Sequence, residues 1–265
     1  MGLSALYKKA SPWGAFFIAW LFASPAVALC PLPGAAQPVR VERVVDGDTL
    51  HLEDGRRVRL IGVNAPELGR RGQPGEPYGQ AARRFVEQWV RDSGGDLRLL
   101  PGVERRDGHG RELAHLYDRR GRNLAALLLA EGLAFQVAVA PNLRLVDCHR
   151  RVEVDAREAR RGLWREDRHV TPGQLTRSGF ALVRGRVERV ERNAGGVWLE
   201  LEGGLALRVA PRHVRAFVAA ELPALVGRVI ETRGWVVERR EKGRSRWLLA
   251  LEHPALLQVR DAPGL

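Results

Sequence analysis

Residues 39–67 read VRVERVVDGDTLHLEDGRRVRLIGVNAPE, and the alternation in this stretch decides the fold. Apolar and polar positions alternate over 39–45, 49–52 and 57–63, the two-residue period of half-buried strands. Asp54-Gly55 between the second and third runs fits a tight hairpin turn. Working outward, residues 68–79 are rich in Gly, Pro and Arg and read as a loop. A helix is expected over 80–91, with Ala82, Phe85, Val86, Trp89 and Val90 on one face. Runs 97–100 and 112–117 read as further strands. Helices over 123–131, closed by Gly132, and 145–161, stopped at Gly162, complete this half.

A polar segment with Pro172 and Gly173, residues 166–178, reads as an interdomain linker. Beyond it, strand-like runs recur at 182–190, 197–201, 205–209, 226–238 and 247–252. A short helix, 211–222, falls between the third and fourth, and a Lys242-Gly243 turn joins the last two. Five strands with one helix after the third suggest a small closed barrel of OB type, with a β-sandwich as the alternative. No sequence repeat relates the halves. The fold class expected is mainly β with α: a five-stranded OB-fold barrel with three helices at 38–165, then a second OB-like barrel at 179–260.

Of 265 residues, 43 are Lys or Arg and 31 Asp or Glu, for a net charge of +12. Lysine occurs only at Lys8, Lys9 and Lys242, so the positive charge is nearly all arginine, whose fork matches phosphate. A nucleic acid or another polyanion is the partner this charge suits. At the N-terminus, Lys8 and Lys9, an apolar run over 13–23 and Ala26-Val27-Ala28 form the pattern of an export signal, residues 1–28. A linker at 29–37 follows. The expected product is periplasmic or secreted, monomeric, and not inserted in a membrane once the signal is cleaved. Cys30 and Cys148 either pair in that oxidising compartment or leave Cys148 as a small buried hydrophobe. Neither has a CxxC partner or a histidine at metal spacing, which argues against zinc.

Three clusters carry chemistry. Asp46-Gly47-Asp48 offers two carboxylates around a turn, a candidate site for a hard cation. In Arg59-Leu60-Ile61-Gly62-Val63-Asn64-Ala65-Pro66-Glu67, an arginine sits at a defined strand face, and Pro66 ends the strand just before Glu67. Asp107-Gly108-His109-Gly110-Arg111 places a second arginine at the mouth of a strand. Taken singly, each is an ordinary turn or a solvated strand.

Together, with the PYGQAA, RDGHGRELAHLY and GLW blocks, they resemble the staphylococcal nuclease (thermonuclease-like) family over residues 39–164. That resemblance implies an OB barrel that hydrolyses DNA or RNA phosphodiesters with Ca²⁺, leaving 3′-phosphates. It implies Asp48, Asn64 and the Ala65 carbonyl as metal ligands, Glu67 as general base, and Arg59 and Arg111 as catalytic arginines. Asp46 would shape the site. Asn64 stands where the family has a second aspartate, so weaker metal binding is expected. The two tyrosines that contact nucleotide in the family prototype have no match in 135–142, FQVAVAPN. The alternative function is a catalytically weak or inactive nucleic-acid-binding protein. From Thr171 onward, 16 basic residues oppose 10 acidic ones. Arg184, Arg186, Arg189 and Arg192 on one strand, and Arg233, Arg239, Arg240, Lys242, Arg244 and Arg246 on a hairpin flanked by Trp235 and Trp247, are either a substrate-holding surface or a solvated face over a tryptophan core.

Overall fold

The computed structural model describes residues 29–32, 34–69, 72, 74–240 and 245–260, with only the backbone at 218–220. The export signal and the Lys242-Gly243 turn lie outside these residues. No helix among those described is long and apolar enough to cross a membrane.

In the first unit the strands are β1 (Gln37–Val39), β2 (Val41–Val44), β3 (Thr49–Leu52), β4 (Arg57–Leu60), β5 (Val63–Asn64), β6 (Leu97–Arg106), β7 (Glu112–Tyr117) and β8 (Phe135–Gln136). Three helices join them: α1 (Gly79–Asp92), α2 (Leu124–Ala130) and α3 (Val146–Glu158). The main sheet runs β1-β6-β7-β4-β3-β2, with β4 and β7 parallel. The expected strand at 39–45 is instead two short strands around Arg40, one pairing with β6 and the other with β3. This break lets one stretch of chain serve both edges and close the barrel, which an unbroken strand could not do without sharper coiling. Strand β6 also runs six residues past the expected end, through Pro101-Gly102, with a register shift against β7.

Alternation buries Leu50, Leu52, Val58 and Leu60 inside the barrel, and α1 caps it with Ala82, Val86 and Trp89. Asn123 starts α2 by accepting the Ala126 N–H at 2.9 Å, which supplies a partner for an otherwise unbonded first-turn donor. Cys30 and Cys148 are joined as a disulfide, and Cys30 is buried in the barrel core.

The second unit contains β9 (Gly179–Asn193), β10 (Gly196–Leu201), β11 (Leu205–Val209), β12 (Val229–Glu238), β13 (Trp247–Ala250) and β14 (Leu257–Arg260). Its helical part, Pro211–Ala220, is 3₁₀ rather than α. Strands β9, β10, β11, β13 and β12 form a closed ring, since β12 pairs with both β13 and β9, and β11 runs parallel to β13. Both units therefore share the strand order 1-2-3-5-4-1, a repeat of topology without a repeat of sequence. The ring excludes the β-sandwich alternative. Strand β14, on the outer edge of β12, escaped sequence reading because its burial is only partial and its alternation weak.

Contacts between the units are dry and specific. Ala138 and Val146 of the first lie in the core of the second. Arg233 donates to both oxygens of Glu153 at 2.6 and 2.5 Å, with both side chains under 10% exposed. Glu231, 4% exposed, accepts from Arg157, Arg184 and Arg260. Arg233 is thus a buried structural cation, while Arg184, 39% exposed, is paired with Glu231 and Asp167. Trp247 is core, whereas Trp235 is 45% exposed.

These groups give the fold a defined response to acid. Burial pushes His115 down to about 4 and His149 down to about 3, so the folded state holds both neutral while the unfolded chain protonates near 6.5. Burial alone would raise Glu231, but hydrogen bonds from Arg260, Arg157 and Arg184 bring it down to about 2. Its contribution is complete above the ordinary glutamate range and fades as pH falls toward 2. Both effects remove stability on acidification. The histidines together remove about 4 kcal/mol between pH 6.5 and 4.5 and protonation of Asp48, raised to about 6, returns part of it, so urea unfolding should show a net loss of roughly 3 kcal/mol. A flat profile over that interval contradicts the buried neutral pair.

Candidate active site

The site is built where β3, β4 and β7 meet. Thr49 lies opposite Arg59 in the β3–β4 ladder, and Arg59 opposite Leu113 in the β4–β7 ladder. The Asp46–Asp48 turn enters β3 against helix α1. A Cβ on Gly47 would stand 2.6 Å from the Ala65 Cβ and 2.7 Å from that of Ala82, so only glycine lets the turn sit this close. Gly62, at φ +86°, closely approaches the buried His149 ring. The turn that follows Arg59 is thereby fixed against α3.

Asp48 is 6% exposed. Its Oδ2 accepts the Ala65 N–H at 2.7 Å and pairs with Arg59 Nη1 at 2.9 Å, while Oδ1 accepts from Thr49 Oγ1 at 3.0 Å. Asp46 Oδ1 accepts the Asp48 N–H at 3.0 Å. Arg59 also donates to the carbonyls of Leu60 and Val63, and through Nη2 to Asn64 Oδ1 at 3.1 Å. Burial pushes the Asp48 carboxyl up to about 6; Arg59 opposes this and Asp46 adds to it. Negative charge here is thus not offset by the one guanidinium, and a second cation would be stabilised. The donor set (a carboxylate, an amide oxygen and a backbone carbonyl) is hard oxygen throughout, which suits Ca²⁺. Among the described residues no cluster of three or more His, Cys, Asp or Glu could hold a metal. A metal at this site therefore depends on the neutral oxygens of Asn64 and Ala65.

Arg111 is aimed by Asp107, whose Oδ1 accepts the Arg111 N–H at 2.9 Å and whose Oδ2 accepts from Nε at 2.7 Å. Its Nη1 lies 3.5 Å from Thr49 Oγ1. With Nε committed, binding an incoming anion falls to the Nη groups. Arg59 and Arg111 line one cleft of about 420 Å³. Glu67 is not joined to them by any contact among the described residues. It is exposed, its backbone pairs with Glu76 in both directions, and it lines a neighbouring depression at the start of α1 with Tyr78 and Arg84. The structure therefore brings together Asp48, Asn64, Ala65, Arg59 and Arg111, and leaves Glu67 at the rim.

Sequence reasoning gave no role to two participants. Asp107, four residues before Arg111 across a Gly-rich turn, could have been read as its clamp. Thr49, next to Asp48, bridges that carboxylate and Arg111 only because of strand pairing. Trp235, which the sequence offered only as part of a candidate surface of the second unit, lines this cleft. His109 is exposed and contributes its backbone N–H to Asp107.

Comparison with known proteins agrees with this geometry. Residues 57–166 match the family described as staphylococcal nuclease homologue. Relatives include the thermonuclease of Staphylococcus intermedius, 34% identical over 128 residues, which covers 47% of this chain and 74% of that protein. The thermonuclease of Staphylococcus hyicus is 30% identical, covering 48% and 76%. A prophage-derived endonuclease of Bacillus subtilis is 31% identical over 50% of this chain and 46% of its own length.

Proposed function

Because the chain belongs to the staphylococcal nuclease family, we propose that it is a Ca²⁺-dependent phosphodiesterase that hydrolyses DNA or RNA to 3′-phosphate products. The observation that carries this reading is the convergence of two clamped arginines on one cleft beside a buried carboxylate. Asp48, Asn64 and the Ala65 carbonyl would hold the ion, which when bound polarises the phosphate as a Lewis acid. Arg59 and Arg111 bind the phosphate oxygens, and their bonds tighten as charge builds on phosphorus. Glu67 would have to reach in from the neighbouring depression to orient and deprotonate the attacking water. Water's oxygen bonds to phosphorus, the bond to the 5′-oxygen breaks, and that oxygen leaves as a hydroxyl after taking a proton. End-group analysis of a labelled oligonucleotide tests this directly: 3′-phosphate and 5′-hydroxyl ends are expected, and 5′-phosphate ends would reverse the assignment.

Asn64→Asp adds a carboxylate to the ligand set and is expected to lower the Ca²⁺ needed for half-maximal activity by about tenfold. An unchanged Ca²⁺ titration would remove position 64 from the metal. The second reading, a binder with weak catalysis, is favoured by the Arg59 guanidinium lying between Asp48 and Asn64. Export to the periplasm or medium is supported by the Cys30–Cys148 disulfide, which suits an oxidising compartment.

A further inference from the structure

Trp235 belongs to the second barrel yet lines the same cleft as Arg59 and Arg111. At 45% exposed it is the most open tryptophan among the described residues, where Trp89, Trp164 and Trp247 are buried and Trp198 is half-buried. Its ring is nevertheless braced. It meets Phe180 edge-on at 5.4 Å, and Phe180 stacks on Phe135 of the first barrel at 5.6 Å. Two residues earlier, Arg233 is locked on Glu153 by the buried ion pair. The first barrel's stretch 135–142 contributes Val137 and Val139 to the cleft, and its one ring there is the His109 imidazole, so Trp235 is the large aromatic face in the lining. An open, braced indole beside phosphate-binding arginines is the arrangement on which a nucleobase stacks.

We propose that Trp235 is a specificity-determining residue. It offers a stacking platform for a base next to the scissile phosphate, so the two barrels form one active site selective for single-stranded nucleic acid. This rests on the nuclease reading above. A base inside a duplex already has both faces covered, whereas an unpaired base has a face to give.

The test uses the protein without its signal, Trp235→Ala and Trp235→Phe, with Ca²⁺. Substrates are a short single-stranded oligonucleotide, the same strand carrying one abasic sugar on either side of the cut, and its duplex. Trp235→Ala should raise KM on the single strand about 5- to 100-fold, with the larger part of the loss in KM rather than kcat. The single-over-double preference should shrink, and Trp235→Phe should restore most of it. One abasic position should penalise the unsubstituted protein and leave the Ala variant indifferent. If the abasic penalty is the same in both proteins, Trp235 only packs against Phe180 and the proposal is wrong. If the unsubstituted protein cleaves nothing, the nuclease reading fails instead. Equilibrium binding of the same oligonucleotides then decides the platform: an intact-to-abasic affinity ratio that collapses in Trp235→Ala supports it, and an unchanged ratio overturns it.

Discussion

Arg233→Ala is expected to cost about 3–5 kcal/mol of stability, because it strands the Glu153 carboxylate in a dry junction. Glu153 is 4% exposed. Besides Arg233, it accepts the Gln136 N–H at 2.7 Å, so it cannot turn out to water without breaking a strand contact. The same logic makes the double substitution Arg233→Met with Glu153→Leu far milder, since replacing a whole buried pair with apolar groups removes the desolvation cost along with the attraction. Urea unfolding of the single and double variants measures this difference. A cost below about 1 kcal/mol for Arg233→Ala would mean that the pair is solvated and the barrels are only loosely joined. Gln136 pairs with Val63 next to Asn64, so the single variant should also perturb the cleft at temperatures where it stays folded.

Arg111→Ala is expected to lower kcat by about 100- to 1000-fold, the loss typical when one donor to a developing oxyanion is removed. Asp107 holds the guanidinium through Nε and fixes the Arg111 backbone through its N–H. Little reorganisation is then required as the transition state forms, which is where such preorganisation acts. Arg59→Ala should lose at least as much, because it also leaves the buried Asp48 without its ion-pair partner. Arg111→Lys separates charge from geometry: it keeps the charge but not the fork, and should recover only a small part of the rate. Full recovery in the lysine variant, measured by single-turnover cleavage, would show that the bidentate contact plays no part.

The barrel and its ligand turn were legible because their signals are local. The 39–63 alternation, the Asp54-Gly55 turn and the DGD turn each report on a few neighbouring residues. The Asp48–Asn64–Ala65 grouping and both arginines came from the family resemblance, and strand pairing places them together. What stayed hidden depends on contacts remote in sequence. The split of the first strand around Arg40 is set by barrel closure, and the burial of Arg233 by Glu153, 80 residues away. Arg184 and Arg233 read as candidate phosphate contacts because a basic side chain on a strand gives no sign that an acid will cover it: Glu153 of the first barrel for Arg233, and Glu231 and Asp167 for Arg184. Trp235 was a candidate for substrate holding, but its place in this cleft was hidden, because its neighbours there come from the other barrel. The Cys30–Cys148 pairing was open from the sequence, since Cys148 also sits at core spacing on α3.

The measurement that bears most directly on the central claim is cleavage of single- and double-stranded DNA and RNA by residues 29–265. Ca²⁺ is titrated, with chelator and Glu67→Gln as controls. The predicted result is Ca²⁺-dependent cleavage that chelation abolishes and that Glu67→Gln loses while still binding the strand. Binding without cleavage across Ca²⁺, Mg²⁺ and Mn²⁺ would contradict it and make the paired barrels a nucleic-acid clamp.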